Sequence, residues 1–415
     1  MKISLVIPTR ERVFYLRHAI NTALKAADCA GCEIEVVISD NASSDGTEEY
    51  LTQIDDERLV RTRSDRRLSM RENFEFALSH TTGSNIVFIG DDDAVLPNGL
   101  GLLRKIIEER DPDIIKWRVL NYYWPNPQFG QAASFKIRPQ LLDGRFKEHN
   151  PVAILRSFVR ADIRSYSQGG MIYHGCISRR LIERVKSSGK GPYFRGSSPD
   201  VFSSLQALMV TERPIFHIYQ PITLGGASPR SNGLTGQAAA SSEKLIKGTE
   251  FSKFVHESSA DPWQCALPAK CKSIAMVTLD CLKTAAKVHG VNLSLDFAAW
   301  SDFIKLDLAK FDLTTQSECI AMARDHLNLE LHLSPNLGKK TKKPANKYAD
   351  GEAYLRKSFS KLELFGGKRL KNAEMAAAFL DEICNVDEAS LTKKGKMQSL
   401  ARILYIRKRT EKLFE

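Results

Sequence analysis

Along the first 110 residues, short unbroken apolar runs alternate with longer stretches in which apolar positions recur every three or four residues. The run ISLVIPT (3–9) predicts a strand buried on both faces, because a half-exposed strand would alternate apolar with polar. Val13, Leu16, Ile20, Ala23 and Leu24 then mark one face of a helix over 11–27. EIEVVISD (33–40) predicts a second strand, and DGTEEYLTQI opens a second helix with Asp45 as its cap. LVRTRS (59–64) predicts a third strand, SMRENFEFALSHT (69–81) a helix ending near Gly83, and NIVFIG (85–90) a fourth strand. After Pro97, NGLGLLRKIIEER returns to helix. Strands separated by crossover helices predict a mostly parallel sheet covered on both sides.

Ligands of such sheets bind beyond the carboxyl ends of the strands. Three polar clusters fall at those ends: PTRER (8–12), SDNASSDGT (39–47) and GDDD (90–93). Three marked loops on one edge of one sheet define a single site. From about 115 to 235 the pattern is irregular and rich in Tyr, Trp, Gly and Ser, which reads as loops and mixed sheet over the same edge. GGASPRSNG (225–233) has the composition of a mobile loop. Beyond it, helical periodicity dominates in SIAMVTLDCLKTAAKV, SDFIKLDLAKF, SECIAMARDHL, AEMAAAFLDEICN and SLARILYIRKRTEKLF. A domain boundary is therefore placed near residue 236, giving 1–235 and a helical 236–415, with GKKTKKPANK (338–347) as an exposed linker.

Composition changes this picture little. A chain of 415 residues with 43% apolar and 26% charged residues is ordinary for a globular protein of two or three domains. MKISLVIPTRER is broken by Pro8 and followed at once by arginines, so it reads as a strand rather than a targeting segment, and no apolar run reaches the length of a membrane span. Of the eight cysteines only Cys29 and Cys32 form a CxxC, and no second pair or histidine set completes a zinc site. The expected setting is a reducing cytoplasm.

Charge is informative in its distribution. The net charge is +11, and from Lys339 to the end 19 Lys/Arg face 10 Asp/Glu, an excess of nine. That tail suits an anionic partner, or is simply a solvated basic surface. Leu400, Ile403, Leu404 and Ile406 beside the basic cluster at 407–409 suit an interfacial helix on anionic lipid at the inner face of a cell membrane. They equally suit packing on the chain's own domain or at a homo-oligomer interface.

Asp91, Asp92 and Asp93 stand directly behind a buried strand. Clustered carboxylates there point to a hard divalent cation, Mg²⁺ or Mn²⁺, completed by water and substrate phosphates. The alternative is an acidic turn at the start of the next helix.

VIPTRER, VVISDNASSDGT, SMRENF and FIGDDDAVLP, in this order and spacing, resemble the family 2 glycosyltransferases of the GT-A nucleotide-sugar-binding fold, over about residues 1–235. The resemblance implies a nucleoside pocket lined by Pro8, Thr9, Arg10 and Glu11, with Asp40 accepting from the N3–H of a uracil. Asn41 and Ser43 shape that turn, and Arg71 approaches the nucleotide or diphosphate. Asp91 and Asp92 belong to the nucleotide site, and Asp92 and Asp93 to the metal. Gly90 stands where many relatives carry the first aspartate of Asp-x-Asp-Asp, so which of 91–93 touches the metal stays open. The family's general base, an acid at the start of a helix after the metal motif, falls on Asp200. His174 and His217 lie where a further metal or substrate contact would fall, and Arg230 could fold over the diphosphate.

The resemblance thus implies an inverting, metal-dependent transfer from a nucleotide sugar, UDP-linked by preference, to a glycan or lipid-linked acceptor. A nucleotidyltransferase would instead show a glycine-rich phosphate loop after the first strand, and PTRERVFYLR has no glycine. A basic nucleic-acid-binding protein would need a recognisable reading module, which the sequence lacks, so no nucleic-acid partner is expected.

Overall fold

The structure is a computed structural model describing residues 1–126, 133–137, 142, 144–162, 165–230, 250–332, 362–365 and 372–384. The first half follows the expected alternation: β1 (Lys2–Thr9), α1 (Val13–Asp28), β2 (Glu33–Asp40), α2 (Thr47–Thr52), β3 (Leu59–Arg63), α3 (Met70–Ser79), β4 (Asn85–Phe88), β5 (Ala94–Val95) and α4 (Gly99–Arg110). Then come β6 (Ile114–Trp117), β7 (Leu120–Tyr123), β8 (Ser134–Ile137), β9 (Phe146–His149), α5 (Pro151–Val159), β10 (Gly175–Ser178), α6 (Arg179–Gly189), α7 (Pro199–Val210), β11 (Ile215–Ile218) and β12 (Thr223–Ala227). The remainder comprises α8 (Glu250–Ser259), α9 (Ile274–Val288), α10 (Phe297–Leu308), α11 (Leu313–Leu327), β13 (Leu362–Phe365) and α12 (Ala373–Cys384).

Eight strands form the main sheet in the order β3-β2-β1-β4-β10-β6-β11-β9. β1 pairs in parallel with β2 and β4, and β6 with β11, while β10 and β9 are antiparallel to their neighbours. The unbroken apolar run in β1 has a direct cause. Ile3, Leu5 and Ile7 enter the core under α1 and α4, whereas Val6 enters the core under α3, α6 and α7. The start of α3 is fixed by a capping box: Ser69 Oγ accepts from Glu72 N (3.1 Å), and Glu72 Oε2 accepts from Ser69 N (2.9 Å).

A second sheet, β13-β8-β7-β12-β5, lies against this edge, as the irregular 115–235 segment led one to expect. Two local expectations change. Asp45 does not cap α2, whose N-cap is Gly46 in the left-handed region; its Oδ2 accepts from Val13 N (2.8 Å) and so caps α1. Residues 225–227 are not a mobile loop but part of β12, paired in parallel with β7.

The placed boundary near 236 lies in 231–249, outside the described residues. On either side of it the helices share one core, in which Leu205 of α7 packs with Met276, Leu279 and Trp300 of α9 and α10. Residues 373–384 pack on the small sheet and α1 rather than with the other late helices: Ala376, Ala377 and Leu380 join Leu96, Tyr122 and Leu224, and His18 Nδ1 lies 2.7 Å from Glu374 Oε1. The linker at 338–347 and the basic helix at 399–414 fall outside the described residues. No helix among the described residues is long and apolar enough to cross a membrane.

Candidate active site

The carboxyl ends of β1, β2 and β4 meet α7 and α8 around a cavity of about 310 Å³. Pro8, Thr9, Arg10, Arg12, Asn41, Asn73, Asp91, Asp92, Tyr173, Asp200, Phe254 and Glu257 form most of its wall. The loops after three strands therefore do converge, and an acid on α7 joins them.

The three consecutive aspartates meet three different fates. Asp91 is buried and paired: Arg12 donates to its Oδ1 (2.9 Å) and Thr9 Oγ1 to its Oδ2 (2.8 Å). Burial alone would lower the basicity of the Arg12 guanidinium, but Asp91 and Asp92 together raise it. Asp93 accepts from Gly90 N (2.5 Å), Gly226 N (2.6 Å) and Tyr173 Oη (2.8 Å), with His174 Nε2 at 3.1 Å. Burial opposes its charge, yet His174 and these N–H groups hold its carboxyl below the usual aspartate range. Asp92 is the remaining one. Its Oδ2 accepts from Ser228 N (3.2 Å), and it forms no ion pair among the described residues. Burial, reinforced by Asp93 and Asp91 against Arg12, pushes its pKa up to about 7. The repulsion built into three adjacent acids is thus relieved at both flanks and left at the middle residue.

Two close contacts fix Asp92 from behind. Trp124 Nε1 donates to its backbone carbonyl (2.9 Å), and Gly226 packs so closely on that carbonyl that a Cβ would collide with it. Gly226→Ala is therefore expected to displace the 90–93 turn and abolish nucleotide-dependent thermal stabilisation, which a melting curve with and without UDP and Mn²⁺ would read. Arg12→Met leaves Asp91 buried beside Asp92 without its cation and is expected to cost about 3–5 kcal/mol by urea unfolding.

Asp200 sits in the first turn of α7 after Pro199, on the cavity wall. Burial raises its pKa above the ordinary carboxylate value, partly offset by hydrogen bonds from its local backbone and from Tyr166. A carboxyl whose proton affinity is raised is suited to take a proton from a substrate.

Several expected site residues stand elsewhere. Arg71 does not face the cavity: its Nε donates to Asp261 (2.5 Å) in a buried ion pair shared with Ser69 Oγ (2.6 Å). Asp40 is buried but not on the wall, because Arg63 and Ser43 N (3.0 Å) hold its two oxygens; the neighbouring Asn41 reaches the wall. Glu11, with φ of 55°, turns outward onto Ser44 (3.1 Å) and Arg67, whereas Pro8, Thr9 and Arg10 line the cavity. Asp93, proposed for metal, lies behind the wall with His174. His174 also meets Thr223 Oγ1 (2.8 Å), so it acts through Asp93 and not as a cavity ligand. His217 sits on β11 beside Tyr219, with ring centroids 4.4 Å apart, three strands from β4. Arg230 donates to the backbone carbonyl of Glu11 (2.6 Å), and Arg12 donates to the Arg230 carbonyl, so that loop closes over the 10–12 turn.

Arg12, Tyr173, Phe254 and Glu257 are wall residues that sequence reasoning missed. Arg12 was within reach, since an arginine two residues past Arg10 is the nearest cation to the acidic loop. Glu257, which pairs with Arg10 across 247 positions, gave no local signal.

One engaged aspartate, one open aspartate and an acid on a helix start thus line a single cavity at the carboxyl edge of a mixed α/β sheet. The match to known proteins is more specific. Residues 4–178 match the model of glycosyl transferase family 2. Over 113 residues it is 31% identical to abequosyltransferase RfbV of Salmonella typhimurium, covering 26% of this chain and 34% of that protein. The match thus spans only about a third of the relative. Among solved structures, S. aureus TarS 1–349 in complex with UDP-GlcNAc aligns at TM-score 0.42 and 14% identity over 78% of this chain and 85% of that one. The mannosyltransferase PcManGT of Pyrobaculum calidifontis, in complex with GDP-Man and Mn²⁺, aligns at 0.40 and 15% over 92% and 86%.

Proposed function

We propose that the chain is an inverting, metal-dependent glycosyltransferase that moves a sugar from a nucleotide donor, UDP-linked by preference, to a hydroxyl of a cell-surface glycan or lipid-linked acceptor. The observation that carries this reading is the pairing of an open Asp92 with a proton-avid Asp200 on the walls of one cavity. The family match over 4–178 supports sugar transfer as the reaction, and the curated relative is named as a glycosyltransferase.

The donor set fits Mn²⁺ or Mg²⁺. Asp92 Oδ1 has no hydrogen-bond partner among the described residues, and a hard cation takes one or two such oxygens with water and phosphate for the rest. Among the described residues no three acidic, histidine or cysteine side chains converge on one point. Asp92 would hold it; Asp91 and Asp93 keep Arg12 and His174. When bound, the ion supplies positive charge to the departing diphosphate.

The chain's own residues do the remaining work. Pro8, Thr9, Asn41 and Asn73 shape the nucleotide side, and Arg10 with Glu257 ties the 8–12 turn to α8. Asp200 takes the acceptor hydroxyl proton as that oxygen attacks the anomeric carbon opposite the diphosphate. The bond to the diphosphate breaks and the configuration inverts. Tyr166 orients the Asp200 carboxyl by hydrogen bonding.

Thermal stability measured against a nucleotide panel, with and without Mn²⁺, tests the donor site. A ligand at 100 times its Kd stabilises by about 2.7 kcal/mol. A shift with UDP that requires metal is the expected result; the absence of any nucleotide effect under metal would remove the donor-site reading.

A further inference from the structure

Four carboxylates stand on the cavity wall, and three of them already have a task. Asp91 is paired with Arg12, Asp92 is placed with the ion and Asp200 with the acceptor. Glu257 is the fourth. It comes from α8, in the helical half of the chain, and is partly buried. Arg10 donates to its Oε2, whereas Oε1 has no hydrogen-bond partner among the described residues. A carboxylate oxygen only accepts, so an open one on a cavity wall suits a hydroxyl or N–H donor on the molecule that fills the cavity.

Charge and place decide which part of a nucleotide sugar it meets. The diphosphate is excluded, because two anions in one cavity repel. α8 stands on the nucleoside side. Asp261, two residues past its end, accepts from Ser69 Oγ (2.6 Å) and Arg71 Nε (2.5 Å) at the start of α3, and Met70, Asn73 and Phe74 from that same stretch line the cavity. Arg10, which holds Glu257, directly follows Pro8 and Thr9 on the same side. Asp40, the acid that the sequence offered to the nucleoside, is taken by Arg63 and Ser43 N, so Glu257 is the acid that reaches this part of the wall.

Phe254 lies three positions before Glu257, on the same face of α8, and lines the same wall. An aromatic ring beside a carboxylate matches a nucleoside, whose base stacks on the ring and whose ribose presents adjacent hydroxyl donors. An acid serving ribose hydroxyls recurs in other nucleotide-binding folds. We propose that Glu257 accepts from the ribose hydroxyls of the donor nucleotide, so that a residue of the helical half selects a ribonucleotide donor over a deoxyribonucleotide one. This rests on the nucleotide-sugar reading above. Arg10 holds the Glu257 side chain in place for that contact and offsets its charge near the diphosphate.

The test is calorimetric titration of the full chain, with Mn²⁺, by UDP, CDP and GDP and by the 2′-deoxy and 3′-deoxy form of each. The ratio of ribo to deoxy affinity is the readout. Phosphate charge is the same in each set, so binding to the basic tail leaves that ratio unchanged. For the nucleotide that binds best, loss of a ribose hydroxyl is expected to weaken wild-type binding by at least about tenfold, as for a hydrogen bond to a charged group. Glu257→Ala is expected to bind the ribo and deoxy forms alike. A mere displacement of α8 would weaken both and keep the ratio. Glu257→Gln, which preserves the side chain's bulk, is expected to reduce the ratio, because a neutral acceptor bonds a hydroxyl less strongly. Equal wild-type affinity for ribo and deoxy forms would overturn the ribose assignment while leaving the donor site standing. An unchanged ratio in both variants would overturn the role of Glu257. Failure of every nucleotide to bind the wild type would overturn the donor-site reading and this assignment with it.

Discussion

Asp200→Asn is expected to lower kcat by about 10²–10⁴-fold, the usual contribution of one general base, and to leave the proposed metal-dependent nucleotide binding in place. The change is nearly isosteric, and Asn Oδ1 can still accept from Tyr166, so the packing at the start of α7 survives. Stability responds with a definite sign. The folded pKa of Asp200 is raised by burial, so its contribution is fully present below the unfolded aspartate pKa and is lost as pH rises through the folded one. At neutral pH the Asn variant should therefore melt no lower than wild type. The rate has the opposite dependence, because the base must be ionised: kcat/KM climbs with pH through the raised Asp200 pKa and then levels. A kcat/KM–pH profile and a melting curve together decide the matter. A variant that keeps wild-type turnover would move the base elsewhere, and one that loses nucleotide binding would make Asp200 structural.

What could be read in the sequence is what depends on neighbours in the chain. The unbroken Ile3–Ile7 run, the acids behind β4, and the Ser-Pro-Asp start of α7 are local signals, and each led to the right element. Asp200 does stand in the first turn of α7, where the resemblance put a helix-start acid, and its part in catalysis is the proposal made above. Choices between partners were not legible, because they are made by residues far along the chain. Arg71 is drawn away by Asp261, 190 positions later, and Asp40 by Arg63 on the adjacent strand. Asp45 has two helix starts within reach and takes the one 32 positions away. The strand character of 225–227 depends on β7 for pairing and on the absence of a side chain at Gly226, which composition alone reads as a loop.

Asp92→Asn separates the two properties that the middle aspartate combines. Of the three carboxylates it alone has neither an arginine nor a histidine partner among the described residues, and burial with flanking charge raises it to about 7. Without ligands, that shift means the ionised form is disfavoured by folding: stability present below the unfolded pKa of about 3.9 falls as pH rises toward 7. The Asn variant escapes this loss. It is expected to match wild type near pH 4 and to unfold at higher urea above pH 7. With UDP and Mn²⁺ the order reverses, because the wild type gains about 2.7 kcal/mol at 100 times Kd and the variant gains little. Metal-dependent affinity in the wild type should also weaken below pH 7, approaching tenfold per unit as protons compete for the same oxygens. Asp93→Asn should behave differently: its carboxyl is held ionised by His174 and backbone N–H groups, so its loss destabilises the turn at neutral pH with or without ligand. Urea curves at three pH values, with and without UDP and Mn²⁺, distinguish the two residues. If Asp93→Asn were the stabilised variant and Asp92→Asn the destabilised one, the assignment of the open carboxylate would be reversed.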